Sequence, residues 1–555
     1  MDLANAPWKA AYPPGLSPDT DLDAYPVHEI VDRAAARWGD KTAFSFRGRN
    51  TGFADLKRQV DRCAGGFVAA GLGKGERVAL FLPNTLYHPV AFFGALKAGL
   101  TVVHLSPLDS GKVLRHKLTD SGARTVVTTN IGDMAVRAAA LLADGAVDRV
   151  VVGDDEALGP SGLTGPKPAN AGVILLDDFA TDTRGAGFPD VSADDLALLQ
   201  YTGGTTGMPK GAMLTHRNLS TAVSSYDTWF DALGLMRPGE DRILLFLPLF
   251  HIYALTAVML RALNNGLELM LHTRFDPETA LAAIESGATS FPAVPTMWIA
   301  LAAVPGFEKR NLSSLRYCAS GGAPLPVEVA RKIKALTGHD VLGGWGMTET
   351  SPAGTNIPPS RPDMVGTIGV PLPGIWMDVV SLDDPSRVLP TGETGELRVF
   401  GPNVTAGYLN RPEETAAAFS DGGLLTGDIG FMNGEGFFTI VDRKKDMLLC
   451  GGYNVYPQLI EQAIYEHADV EEVLVIGTAD DYRGEAAKAF VKLHDGAEPL
   501  TLDALRAFLR SRLGPHELPA ALEIRAALPR TPVGKLSKLE LKQEEAERRR
   551  AAIAS

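Results

Sequence analysis

The residues Tyr201-Thr-Gly-Gly-Thr-Thr-Gly-Met-Pro-Lys210 concentrate three glycines, three threonines and one lysine in ten positions. Glycine lets backbone N–H groups approach a ligand closely, threonine adds hydroxyl donors, and lysine adds a point charge. Those are the parts of a loop that wraps a polyphosphate. It is not a P-loop, because no glycine here is followed five residues on by Gly-Lys. Two more glycine-rich stretches follow short apolar runs: Tyr317-Cys-Ala-Ser-Gly321-Gly-Ala-Pro-Leu and Val341-Leu-Gly-Gly-Trp345-Gly-Met-Thr348-Glu349. Strand ends followed by such turns are where α/β folds place ligands. Asp442-Arg443-Lys444-Lys445-Asp446 is a dense charge cluster between apolar stretches, either a solvated turn or an interdomain hinge. Near the C-terminus, Pro529-Arg-Thr-Pro-Val-Gly-Lys535 presents a lysine on a loop whose prolines and glycine bar it from a helix interior.

These segments need a scaffold. Residues 1–26 read as an extended leading arm. From Val27 to about Ala180, helical patterns (Val27 onward, Pro89 to Ala98) alternate with buried strands (from Arg77, and Thr101 to Leu105). The span from about 142 to 195, heavy in Gly, Asp and Pro, reads as loop-rich and precedes the strand Leu196-Ala-Leu-Leu-Gln. A second alternation runs from Thr215 to about Asp340 and includes Leu245-Phe-Leu-Pro-Leu-Phe-His251-Ile-Tyr253, with a helix expected from Leu255. Beyond Asp378 the pattern becomes β-rich, with strands at Gly395–Phe400 and Gly436–Val441. The remainder has the size of a small α+β domain, and Glu544 to Ser555 reads as a polar, frayed helix. The spacing Gly71-x-Gly73 precedes a strand instead of following one, so it is a turn and not a dinucleotide site. The expected architecture is α/β: a large N-terminal domain of helix-covered sheets with a β-rich subdomain (1–441), a hinge (442–446), and a small mobile α+β C-terminal domain (447–555).

Composition agrees with several globular units in 555 residues, 45% hydrophobic and 7% aromatic. Lys plus Arg number 53 against 66 acids, a net charge of −13, which argues against a nucleic-acid binder. Anionic ligands must then be met by local cations and backbone N–H groups. Cys63, Cys318 and Cys450 have neither metal spacing nor the number for a disulfide framework, which suits a reducing cytoplasm. The N-terminus lacks a basic region followed by an apolar core, so no signal peptide is expected. No window is apolar for about 18 residues, so no spanning helix is expected. Peripheral membrane contact and a homodimer stay open.

The ordered set of motifs resembles the adenylate-forming (AMP-binding) superfamily of acyl-CoA synthetases. It comprises the Thr/Gly loop, Gly321-Gly-Ala-Pro324, Gly344-Trp-Gly-Met-Thr-Glu349, Thr426-Gly-Asp428, Asp442-Arg443, Gly452-Tyr-Asn-Val-Tyr-Pro and Pro529 to Lys535. Gln200 to Gly207, Leu247 to Thr256 and Gly452 to Pro457 are most similar to bacterial medium- and long-chain fatty-acid–CoA ligases. The resemblance implies ATP, Mg²⁺ and coenzyme A. Thr202 and Glu349 would ligate magnesium, Thr348 would meet the α-phosphate, and Thr202, Gly203, Gly204, Thr205, Thr206, Gly207 and Lys210 would cradle phosphates. Trp345 would stack on adenine, with Gly322, Ala323, Pro324 and Gly346 leaving room. Asp428 and Arg443 would hold the ribose, and Lys535 would bridge acyl carboxylate and phosphate. Lys445 stands at the hinge; Gly451, Gly452 and Tyr453 would border the pantetheine path; His251 would gate the acyl and thiol sites. Nearby Lys538 and Lys542 read as solvated charges. Where many relatives carry a nucleotide-reaching lysine after the hinge, this chain has Leu449.

The implied reaction is acyl-adenylate formation followed by transfer to CoA. The glycines at 321, 322, 343 and 344 favour a deep tunnel and a medium- or long-chain fatty acid. A dicarboxylic acid is the alternative and requires a cation at the tunnel's far end, which the sequence does not place. Aromatic acids rank third. An acyl-AMP ligase that loads a carrier protein is disfavoured because no carrier domain follows Lys535, a silent binding protein would have lost Glu349, Asp428 or Lys535, and a luciferase would share every motif.

Overall fold

A computed structural model describes residues 2–182, 187–202, 208–322, 327–450, 453–480, 483–531 and 535–554. Two sheets form the bulk of the N-terminal region. One has seven strands in the order Val173–Leu175, Arg149–Gly153, Thr125–Thr129, Arg77–Phe81, Thr101–Leu105, Leu196–Thr202 and Lys210–Thr215, parallel except for the last pair. Val78 to Leu82 are fully buried, as befits strands covered by helices on both faces. The expected loop-rich span contributes two of these strands. Arg149-Val-Val-Val is short and bracketed by Gly and Asp, so its turns outweighed its apolar run in the sequence.

The second sheet has nine strands and carries Tyr317–Ser320 and Val341–Trp345 side by side in parallel register, Ala319 opposite Leu342. Helix His216–Ala232 spans the gap. Thr215 and Asn218 form a reciprocal capping box that fixes its start, which directs Tyr226 and Phe230, one turn apart, to the same side. The expected helix from Leu255 starts at Tyr253 and is π-helical through Leu260, then α-helical over Arg261–Asn264. Wide turns of this kind re-aim side chains and are common at functional sites.

An antiparallel five-stranded sheet follows, containing Trp376–Val380, Gly395–Phe400, Gly423–Met432 and Phe438–Arg443. Its last strand pairs Asp428 with Arg443, so regular structure reaches two residues into the expected hinge. The C-terminal region is a five-stranded sheet with helices Pro457–Tyr465, Leu502–Leu509 and Leu539–Ala554. The last helix begins five residues before the expected frayed tail. Arg525–Glu544 and Lys488–Glu545 ion pairs anchor its first half to the sheet, partners that no local pattern reveals. No helix of the described residues is long and apolar enough to cross a membrane.

Candidate active site

The carboxyl ends of Leu196–Thr202, Tyr317–Ser320 and Val341–Trp345 converge on a cavity of 850 Å³ closed on one side by the C-terminal region. Thr202, Lys210, His251, Gly322, Trp345, Gly346, Thr348, Glu349, Arg443, Lys445 and Lys535 all line it. Thus residues spread over more than 300 positions of sequence share one wall. Gly203, Gly204, Thr205, Thr206, Gly207, Ala323, Pro324, Gly451 and Gly452 lie outside the described residues.

Lys535 enters from the C-terminal region. Its turn is closed by two hydrogen bonds: Thr531 N donates to Lys535 O at 2.7 Å, and Lys535 N donates to Thr531 Oγ1 at 3.1 Å. The side chain lies over Gly322, where an added Cβ would stand 3.0 Å from Lys535 Cε. Gly322 also has φ +76°, a left-handed conformation that favours glycine. Burial, and then the like charge of Arg443, lower the Lys535 ammonium to about 8. His251 is pushed down to about 3 by burial first and Lys535 second, and is neutral. Its Nδ1 accepts from Tyr253 N at 3.3 Å.

Glu349 sits 6% exposed in the one-turn helix Thr348–Thr350. Its carboxylate accepts a 2.8 Å hydrogen bond from the Tyr408 hydroxyl, and burial raises its pKa despite that bond. One carboxylate with a single neutral partner, facing a cavity that Thr202 also lines, fits a hard cation completed by phosphate oxygens and water. Among the described residues no group of three or more acids, histidines or cysteines could hold a metal alone.

Asp428 is almost fully buried. One oxygen accepts from Trp345 Nε1 at 2.8 Å, and the other lies 2.9 Å from Arg443 Nε. Trp345 therefore points its indole N–H at the acid instead of serving as plain core. Burial raises the Asp428 pKa against the pull of Arg443. Lys210 pairs with Glu414 and sits 5.5 Å from the Tyr408 ring centroid. Lys445 is held below its ordinary pKa by burial and by Arg443. Gly346 has a packing reason: an added Cβ would lie 1.4 Å from Pro352 O.

In this arrangement Tyr453 is exposed, packs on His516 with ring centroids 4.9 Å apart, and does not line the cavity. One expectation changes. Lys538 is no solvated charge: it forms a 2.9 Å ion pair with Glu461, both side chains more than four-fifths buried. Lys542 pairs with Asp446. Sequence reasoning missed Tyr408, which follows Gly407 in a loop whose backbone bridges to Ala212, and it missed Tyr226, Phe230, Arg261 and Tyr317, which are buried and line the same cavity. The helical spacing of Tyr226 and Phe230 was the available signal.

Residues 31–409 match the family described as AMP-binding enzyme, and residues 459–535 match the AMP-binding enzyme C-terminal domain. The chain is 38% identical to a long-chain-fatty-acid–CoA ligase of Bacillus subtilis, over 98% of each chain. It is 36% identical to a feruloyl-CoA synthase of Amycolatopsis, over 94% of this chain and 98% of that one. ATP-bound MatB from Rhodopseudomonas palustris superposes with a TM-score of 0.83 at 29% identity, covering 93% of this chain and 98% of MatB. The chain belongs to the AMP-binding enzyme family.

Proposed function

We propose that the chain is an AMP-forming acid–thiol ligase that activates a medium- or long-chain aliphatic acid and transfers it to coenzyme A. The observation that carries this reading is Lys535 standing in the same cavity as Glu349 and Trp345, with Asp428 beside them, and with Phe230, Ala257, Val258 and Leu342 also in its lining. Relatives at 36–38% identity named as fatty-acid–CoA ligases support it.

In the first step an oxygen of the acyl carboxylate forms a bond to the α-phosphorus of ATP, and the bond to pyrophosphate breaks. Both reactants are anions, so the site must supply positive charge that is strongest where the new charge develops. The Lys535 ammonium meets the acyl carboxylate and the phosphate. Thr348 donates a hydroxyl to the α-phosphate, and the loop ending at Lys210 cradles the remaining phosphates. Asp428 accepts from the ribose hydroxyls: a carboxylate offers about four lone-pair sites, and Trp345 and Arg443 occupy two. Thr202 and Glu349 would hold Mg²⁺, which when bound screens phosphate charge.

In the second step the CoA thiol gives its proton to solvent, its sulfur bonds to the acyl carbon, and the acyl carbon–oxygen bond breaks so that AMP leaves with that electron pair. Lys535 fills the cavity wall in this arrangement, so the thiol needs another geometry. A hinge at 442–446 that moves residues 447–555, bringing Gly451, Gly452 and Tyr453 toward the cavity, supplies one. Neutral His251, which lines both the main cavity and a small pocket shared with Lys535, would gate the acyl and thiol sites. Three buried, unpaired cysteines suit a cytoplasmic site.

Pyrophosphate release across monocarboxylic, dicarboxylic and aromatic acids, with and without CoA, tests the reading. Acid-dependent release that rises with CoA and collapses in Lys535→Ala is expected. Release indifferent to CoA would point to a carrier protein or other acceptor, and no release with any acid would sink the ligase.

A further inference from the structure

The cavity lining away from the proposed nucleotide residues is not uniformly apolar. Arg261 follows directly on the π-helix and lines the cavity together with Tyr226, Phe230, Tyr253 and Tyr317. It is only 5% exposed. Its Nε donates to Ala257 O at 3.0 Å, Nη1 meets Met236 Sδ at 3.4 Å, and the guanidinium lies 4.3 Å from the Phe230 ring centroid. These contacts position the group but leave donors over, since a guanidinium carries five N–H.

No carboxylate of the described residues lies within ion-pair distance of Arg261. The nearest influence of that sign is Asp227, whose oxygens are taken by the side-chain amides of Asn264 and Asn265 at 2.8 and 2.7 Å. Burial raises Asp227 to about 7, so near neutral pH it supplies only part of a counter-charge. Arginine stays protonated, and a buried unpaired cation is costly. A methyl-ended acyl chain reaching this point would keep that cost and strip what water remains. A carboxylate would relieve it through paired N–H···O bonds.

We infer that Arg261 receives a second carboxylate at the distal end of the acyl substrate, so that this pocket takes an α,ω-dicarboxylic acid. The phenols of Tyr226, Tyr253 and Tyr317 stand within electrostatic reach of the guanidinium and flank the incoming group. Tyr253 packs against Gly321 near the Lys535 end, and Arg261 lies eight residues further along the same helical segment. The axial rise over those eight residues is at most about 12 Å, so a diacid of medium length such as octanedioic acid is the probe of choice.

This inference rests on the ligase reading of the same site, and the experiment separates the two. CoA-thioester formation is measured for octanoic acid, octanedioic acid and the monomethyl ester of the diacid, with wild type, Arg261→Leu and Arg261→Lys, alongside a thermal melt of each. Wild type should favour the diacid over both singly charged acids by at least about tenfold in kcat/KM, Arg261→Leu should reverse the order, and Arg261→Lys should keep it. If Arg261→Leu fails to fold, the wild-type preference and the lysine variant decide. Thioester from octanoic acid with the acid ratio unchanged in Arg261→Leu overturns the inference and leaves the ligase standing. No thioester from any acid, including longer ones, overturns both.

Discussion

Lys535 makes pH a direct probe of the first half-reaction. Its ammonium titrates near 8 instead of the ordinary 10.5, chiefly through burial and secondly through Arg443. A lysine is charged below its pKa, so with a pKa near 8 about nine-tenths of the ammonium present at pH 7 is lost by about pH 9. If that charge stabilises the adenylation transition state, kcat/KM for the acid should be level near pH 7 and fall to about one-tenth by about pH 9. The corresponding limb in kcat should lie higher, because bound carboxylate and phosphate hold the proton on Lys535. His251, with its pKa near 3, adds no limb on the acid side. The assay is acid-dependent exchange of labelled pyrophosphate into ATP at constant ionic strength. Lys535→Ala should lower exchange by about 10²–10³-fold, the loss expected for one charge-stabilising donor. Lys535→Arg keeps its charge throughout and should lose the limb near 8 whatever its rate. A wild-type profile level to about pH 9.5, or the same limb in Lys535→Arg, would refute the assignment.

Arg443→Met removes the like charge that helps depress Lys535, so the alkaline limb should move to higher pH; a limb that stays put or moves down contradicts the coupling. Gly322→Ala places a Cβ 3.0 Å from Lys535 Cε on a backbone with φ +76°, so pyrophosphate exchange should drop at least about tenfold while CoA transfer from preformed acyl-adenylate is spared. Equal loss in both steps would argue against displacement of the lysine. Lys538→Met leaves Glu461 buried without its partner and should cost about 3–5 kcal/mol in the denaturant unfolding of the C-terminal region, whereas Lys542→Met, on a pair more than a third exposed at the lysine, should cost less than about 1 kcal/mol. Similar losses for the two lysines would refute the distinction.

Much of the scaffold was legible because parallel strands buried on both faces write themselves as short apolar runs. Thr101-Val-Val-His-Leu is a strand over the residues its pattern marks. The span 142–195 was not legible, because two three- to five-residue strands there carry almost no periodicity, and their pairing is decided by neighbours such as Thr125–Thr129. Lys538 and Lys542 show the same limit for charge. Four residues apart in one polar stretch, they look alike, yet one reaches Glu461 on a distant helix and is buried while the other stays partly exposed. Local sequence reports propensity, and burial of a charge is settled by which partner the fold delivers.

The site divides along the same line. Of the segments expected to handle nucleotide, the stretch from Thr202 to Lys210 is legible because its composition is itself the signal: glycine, threonine and lysine are there for close approach and charge. Several residues proposed to meet the acid lie on helices. Tyr226, Phe230 and Arg261 belong to segments whose first task is to cover a sheet, so their identities read as core or as surface. A cation at the tunnel's end was the feature the sequence needed and did not yield. Arg261 was visible all along in Met-Leu-Arg-Ala-Leu, an apolar run in which one arginine stands out, but its direction depends on the wide turns of Tyr253–Leu260. A change of one residue in that π-helix would re-aim Arg261 relative to the cavity. Chemistry common to the family is thus written in motifs, whereas the proposed choice of acid depends on the phase of a single helix.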